Sequence, residues 1–336
     1  MIDHQEKIYV AGHRGLVGSA MVRALGRVGY NNLILRTRDE LDLTDQAAVA
    51  GFFARERPRY VFLAAARVGG ILANATFPAE FIFQNLIIQA NVIESAYRTD
   101  VDRLLALGSS CIYPKFAAQP LREGSLLSGA LEPTNRSYAV AKIAGIEMCR
   151  AYNLQYGTRY LAVMPTNLYG PGDNYDLETA HVIPALIRKM HEAKAGSQEE
   201  VVLWGSGTPR REFLYSDDLA EACLFLMNLN HDAFHTLVAG GTDAPLINVG
   251  SGQDQDIREL AELIARVVGF DGVLKFDHNK PDGSPCKLLD TSRLSSLGWH
   301  PRTNLQDGIN LAYREFLQAF EVAQHARGVS LCTPRC

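Results

Sequence analysis

The chain has no run of about eighteen consecutive apolar residues. Residues 1–7 are polar and lead straight into a strand-like segment, a pattern that fits neither a transmembrane helix nor a secretory signal. The expected location is the cytoplasm. Excess basic charge is missing too: 33 Lys and Arg stand against 37 Asp and Glu, for a formal net charge of -4. That balance is unfavourable for general attraction to nucleic acid, so neither nucleic acid nor membrane is expected as a partner. Six cysteines, at 111, 149, 223, 286, 332 and 336, contain no CxxC pair. Scattered thiols argue against a disulfide framework or a zinc site, no metal is expected, and Cys332 and Cys336 receive no assignment. Internal repeats and low-complexity tracts are also absent.

What is present is an alternation of strands and helices. A strand over 7–11 precedes Leu16, Val17, Ala20, Met21, Ala24, Leu25 and Val28, which recur at helical spacing. Further strands are predicted at 33–35, 60–66, 104–107 and 160–164, with helices over 80–98 and 137–156. Such a chain forms an α/β fold, a doubly wound parallel Rossmann sheet. Its 336 residues exceed the usual size of one core, so a smaller mixed α/β substrate-binding lobe is expected beside the sheet. The expected division is 1–180 for the nucleotide-binding domain, 181–325 mainly for the second lobe with some chain returning to the first, and 326–336 for a tail. Within the second part we expect a helix from about His181, sheet elements at 247–250 and 297–299, a helix over 257–268, and a variable loop at 236–245.

The first turn has the spacing G-x-x-G-x-x-G in Gly12, His13, Arg14, Gly15, Leu16, Val17 and Gly18. Glycines there allow a tight turn, bring backbone N–H groups to a pyrophosphate at the positive end of a helix, and let helix pack closely on strand. The second strand ends in Arg36, Thr37, Arg38 and Asp39, where an acidic residue alone would suit a free ribose hydroxyl. Arg38, aided by Arg14, can clamp a 2′-phosphate, which favours NADP(H) with Asp39 alongside. The plain alternative is a pair of solvated surface arginines.

Tyr138 and Lys142 lie one helical turn apart in an apolar stretch, so both side chains share a face. An ammonium near a phenol favours the phenolate, and the spacing predicts a tyrosine lowered towards working pH. Ser109, at the carboxyl end of the fourth strand, can hydrogen-bond the same substrate oxygen. With the glycine turn and the later Leu297, Gly298, Trp299, His300 and Pro301, these motifs resemble the extended short-chain dehydrogenase/reductase family. The resemblance implies that Ser109, Tyr138 and Lys142 are catalytic and that Lys142 also touches the nicotinamide ribose.

Many extended members act on nucleotide sugars, and a dehydratase among them would be expected to carry an Asp-Glu pair after the serine. This chain has Ser110 and Cys111 instead. A thiol suits removal of the acidic C–H beside a ketone, provided an acid on the opposite ring face returns a proton. His181, opening the helix after the 171–174 loop, is the natural acid because imidazole titrates near neutral pH. A small buried apolar residue is the plain reading of Cys111, and a structural helix-start residue that of His181. The likeness extends through 64–71, 108–114, 132–135, 164–171, 181–185 and 204–213. It implies inversion at C3 and C5 of GDP-4-keto-6-deoxy-D-mannose by Cys111 and His181, then NADPH-dependent reduction at C4 with Tyr138. It also implies cofactor contacts at Leu107, Gly108, Ser109, Ser110, Pro165, Thr166, Asn167, Leu168 and His181.

A GDP-sugar needs positive charge and a stacking surface. Arg211 and Lys189 supply charge and Trp204 a flat face with an N–H donor. The resemblance implies substrate contacts at these three and at Asp282, although each has a structural alternative, such as a turn residue for Asp282. It implies a homodimer as well, and helices 80–98 and 137–156, apolar on more than one side, suit pairing across a two-fold axis. Another nucleotide-sugar 4-reductase or epimerase, or a non-catalytic NADPH-sensing protein, are the alternatives.

Overall fold

The computed structural model describes residues 2–239, 244–280, 282 and 284–326. Its first half runs β1 (Ile8–Ala11), α1 (Leu16–Arg27), β2 (Leu33–Ile34), α2 (Gln46–Glu56), β3 (Tyr60–Leu63), α3 (Ile71–Thr76), α4 (Pro78–Arg98), β4 (Arg103–Leu107), α5 (Arg136–Tyr156) and β5 (Tyr160–Pro165). The second half runs β6 (Asn167–Tyr169), α6 (Val182–Ala195), β7 (Glu200–Trp204), β8 (Arg210–Tyr215), α7 (Ser216–Met227), α8 (His231–Val238), β9 (Leu246–Val249), β10 (Asp254–Asp256), α9 (Ile257–Val268), β11 (Val273–Asp277), β12 (Cys286–Lys287), α10 (Ser292–Ser296) and α11 (Leu305–Ala326).

Strands β1, β3, β4 and β5 are buried at every position, as expected of parallel strands covered on both faces. They form the centre of a parallel six-stranded sheet in the order β2-β1-β3-β4-β5-β9. The chain moves outward from β1 to β2 and then crosses back to β3 on the other side. That reversal opens the crevice at the carboxyl ends of β1 and β3 where such sheets bind ligands. On one face α1 packs on α7, tied by Arg27 to Asp217 at 2.9 Å. On the other, α4 and α5 lie close enough that a Cβ at Gly145 would meet the Gln89 Oε1 at 2.2 Å.

A second core gathers side chains of α6, α9 and α11 with β7 and β8. Its sheets are small: β8 lies between β10 and β12 and also pairs with β6, while β11 pairs with β7. One residue, Thr166, separates β5 from β6, so the chain passes from the large sheet to the small one just beyond the carboxyl end of β5. Thr166 marks the junction: its N–H donates to the Val249 carbonyl and its hydroxyl to that of Glu212. Helix α9 starts on a reciprocal cap, in which Asp256 accepts from the Glu259 N–H and Glu259 from the Asp256 N–H, and ends at Gly269 with φ 71°.

Several expectations need correction. The 236–245 loop starts late, because Thr236 to Val238 form the last turn of α8 on its buried residues Leu237 and Val238; residues 240–243 lie outside the described residues. Leu297, Gly298 and Trp299 form no sheet element but a turn closing α10, with Gly298 at φ 100°. The second strand is two residues long, and α2, unanticipated in the sequence, is capped by the Asp45 side chain on the Ala48 N–H. Helix α11 runs through Ala326, the first residue of the segment expected as a tail; residues 327–336, with Cys332 and Cys336, lie outside the described residues. Among the described residues no helix is long and apolar enough to cross a membrane, and no cluster of acidic, His and Cys side chains could hold a metal ion.

Candidate active site

The turn from β1 into α1 is built by backbone proximity. Gly12 has φ 82°, and a Cβ there would strike the Ala65 nitrogen at 2.7 Å; one at Gly18 would meet the Gly12 carbonyl oxygen at 2.0 Å. Gly15, the exposed N-cap of α1, is different, with only the Gly12 oxygen at 3.5 Å in its path. Two glycines therefore close the turn, and the third leaves the helix N-terminus bare. A pyrophosphate fits such an open, positive helix end.

At the end of β2, Arg36 is committed, bound to Glu56 at 3.2 Å and lying over the Phe52 ring. Arg38 is 72% exposed with Asp42 4.0 Å away, and Arg14 is also exposed without an ion-pair partner among the described residues. Those two arginines remain available to a 2′-phosphate. Asp39, exposed beside Arg38, makes no side-chain hydrogen bond or ion pair among the described residues. His13 and Leu16 flank the turn half-buried, and Val17 packs on the main core.

The carboxyl end of β4 carries the candidate reacting groups. Gly108 follows Leu107 in close contact with Met164, and the Ser109 hydroxyl accepts from the Cys111 N–H at 3.3 Å, capping a short turn over Ser110–Ile112. From the facing helix α5, the Lys142 ammonium donates to the Leu107 carbonyl at 2.6 Å and lies 5.9 Å from the Tyr138 ring centre. Burial lowers Lys142 to about 8. The Tyr138 phenol moves the other way: burial raises it strongly, the charge of Cys111 raises it further, and the Ser109 hydroxyl, the smallest of the three effects, lowers it. The lowering expected from Lys142 is not found: desolvation penalises the phenolate and moves the phenol the other way.

Ser109, Cys111, Tyr138 and Lys142 thus share one pocket. Two side chains without a prior assignment join them: Asn135 Nδ2 donates to the Cys111 sulphur at 3.2 Å, and Lys287 Nζ lies 3.6 Å from it. Asn135 stands in the Glu132 to Asn135 stretch that resembles the family, which could have drawn attention to it. Lys287 has no local signal, being brought in by β12 from 176 residues away. His181 is the N-cap of α6, and its ring makes no hydrogen bond among the described residues. Burial lowers its pKa, favouring the neutral ring. Along the junction, Pro165 ends β5 and Asn167 and Leu168 begin β6, with the Asn167 amide donating to the Glu212 carbonyl.

Farther out in the second lobe, Trp204 is 66% exposed, with the ammonium groups of Lys189 and Lys280 at 5.8 and 5.2 Å from its ring. Burial lowers both Lys189 and Arg211. Lys280 went unassigned from the sequence. Both Asp282 oxygens are already engaged, one by the Ser206 N–H at 2.9 Å and the other by its hydroxyl at 2.7 Å. Asp282 consequently fastens the Ser206 turn.

Known proteins are similar to this chain over nearly its whole length. GDP-L-fucose synthase 1 of Arabidopsis thaliana is 57% identical over 318 residues, covering 95% of each chain. GDP-L-fucose synthase of Escherichia coli strain K12 is 54% identical over 316 residues, covering 94% of this chain and 97% of the relative. A crystal structure of a GDP-L-fucose synthetase from Naegleria fowleri bound to NADP superposes with a TM-score of 0.84 at 27% identity, covering 96% of this chain and 97% of that one. Residues 8–240, from the first strand through the glycine turn and the α5 pair, match the NAD dependent epimerase/dehydratase family, and the chain belongs to that family.

Proposed function

We propose that the chain converts GDP-4-keto-6-deoxy-D-mannose to GDP-L-fucose, by inversion at C3 and C5 and NADPH-dependent reduction at C4. The relatives' names support the reaction. The observation that carries it is a thiol, Cys111, set against the Ser109 and Tyr138 pair of a carbonyl reductase.

Gly12, Gly15, Gly18, Arg14 and Arg38 would hold NADPH, which supplies hydride when bound. The C4 ketone acidifies the neighbouring C–H bonds. Cys111 takes a proton from carbon, leaving an enolate whose oxygen faces Ser109 and Tyr138, and His181 returns one from the opposite face in its protonated form, which burial disfavours; both groups then exchange protons with solvent before the second carbon is inverted. Because Tyr138 stays protonated, it is available as the acid for the C4 oxygen during reduction. Lys142 then neighbours the phenolate that forms. Lys189, Trp204 and Arg211 would hold the GDP moiety. We place Asp282 one step back from the substrate, as the group that fixes the Ser206 turn.

Exposed apolar side chains on α4 and α5, including Phe83 and Leu154 at 60% each, support a homodimer joined across those helices. The setting proposed is cytoplasmic nucleotide-sugar synthesis. The test is NADPH consumption with GDP-4-keto-6-deoxy-D-mannose, followed by sugar analysis of the product. GDP-L-fucose supports the reading. No consumption, or reduction without inversion, contradicts it.

A further inference from the structure

Reading Cys111 as the epimerisation base raises the question of how its sulphur is kept ready to accept a proton from carbon. Two donors meet that sulphur from separate parts of the chain. The Asn135 amide approaches from the short turn that leads into α5, and the Lys287 ammonium from β12. A lysine ammonium can only donate, and an asparagine Nδ2 likewise, so both present hydrogens to a sulphur acting as acceptor.

We infer that Asn135 and Lys287 form a two-donor cradle that holds Cys111 as an oriented thiolate. The cradle is rigidly mounted. Lys287 pairs in register with Arg211 of β8, and the next two residues are pinned as well. The Leu288 N–H donates to the Gln119 Oε1 at 3.0 Å and its carbonyl accepts from the Leu121 N–H at 2.7 Å. The Leu289 N–H donates at 2.9 Å to the carboxylate of Glu212, itself fully buried. Among the described residues Lys287 has no carboxylate partner, so its charge is not spent elsewhere. Among the described residues, the titratable groups facing the sulphur are Tyr138 from α5 and Lys287 from β12.

The two buried cysteines among the described residues provide the contrast. Cys149 and Cys223 are enclosed by apolar cores, and burial pushes their thiols up, to about 12 for Cys149. Only Cys111, among the described cysteines, has an ammonium and an amide donor on its sulphur. Both act through Cys111 and are positioning residues.

The inference rests on the proposed role of Cys111, but its test reads the sulphur directly. Iodoacetamide labelling of Cys111 in the full chain is followed by peptide mass spectrometry across pH. In Lys287→Met the inflection of the rate profile should rise by about one pH unit, and Lys287→Arg should restore it. Asn135→Asp, which sets a carboxylate against the sulphur, should also raise it. NADPH fluorescence titration confirms that each variant is folded. Deuterium exchange into the keto-sugar at neutral pH should fall about tenfold in Lys287→Met through the rate at saturating substrate, with KM little changed. An unmoved labelling profile in both Lys287→Met and Asn135→Asp overturns the cradle. So does a rise in KM alone, which would make Lys287 a contact for the substrate's charge. Loss of the base assignment itself shows up separately, as undiminished exchange in Cys111→Ser.

Discussion

Tyr138 and Lys142 sit one turn apart on one face of α5, and their enclosure decides their protonation. At 3% exposure Lys142 is lowered to about 8, and the same enclosure keeps the Tyr138 phenol protonated. Tyr138→Phe should lower NADPH oxidation at least about a hundredfold while deuterium exchange at C3 and C5 persists, measured on the same substrate. Asp173 is a second residue whose environment decides its charge. Burial raises its carboxyl to about 7, and both its Oδ2 and the nearby Glu315 Oε2 are buried without hydrogen-bond partners among the described residues. A raised acid binds a proton in the folded state that the unfolded chain has already released. Its contribution is thus present at low pH and is lost as pH rises towards about 7. Asp173→Asn should remove that dependence, narrowing the difference in melting temperature between mildly acidic and mildly alkaline buffer by a few degrees, about what 1 kcal/mol produces. An unchanged difference would mean that Asp173 does not titrate in this range.

The β1–α1 turn was readable because three glycines at fixed spacing sit between an apolar strand and a periodic helix. The different tasks of those glycines emerge only from the backbone. A methyl at Gly18 collides with the Gly12 carbonyl at 2.0 Å, so Gly18→Ala must push α1 off β1. Melting temperature and NADPH affinity should fall together. Gly15→Ala meets only a contact at 3.5 Å and should keep its melting temperature within a degree or two, while NADPH binding weakens about tenfold. Calorimetry and fluorescence titration check both. The short β12 was harder to foresee, since two residues carry no periodic signal, and its position comes from pairing with β8 and from the Glu212 carboxylate. The 297–299 segment has the apolar look of a strand, yet Gly298 at φ 100° makes it a turn.

Across the whole molecule, the large sheet announced itself through largely apolar strands, whereas the second lobe is assembled from short strands that pair far along the chain. Strand β9 returns to the edge of the main sheet, and α7 packs on α1, so a single cut near residue 180 remains a proposal about function more than about packing. The outer face of α4 and α5 is a molecular-scale feature. Replacing Phe83 and Leu154 together with Glu should convert the proposed dimer to a monomer in light scattering, with the far-UV circular dichroism unchanged. A monomeric wild type would remove that proposal. In the proposed reaction one pocket inverts two carbons through Cys111 and then reduces the ketone between them. Its most direct test is deuterium uptake at C3 and C5 of GDP-4-keto-6-deoxy-D-mannose in D₂O, comparing the wild type with Cys111→Ser. Uptake should fall about a hundredfold or more in the variant while NADPH affinity is retained; undiminished uptake at both carbons would contradict the account.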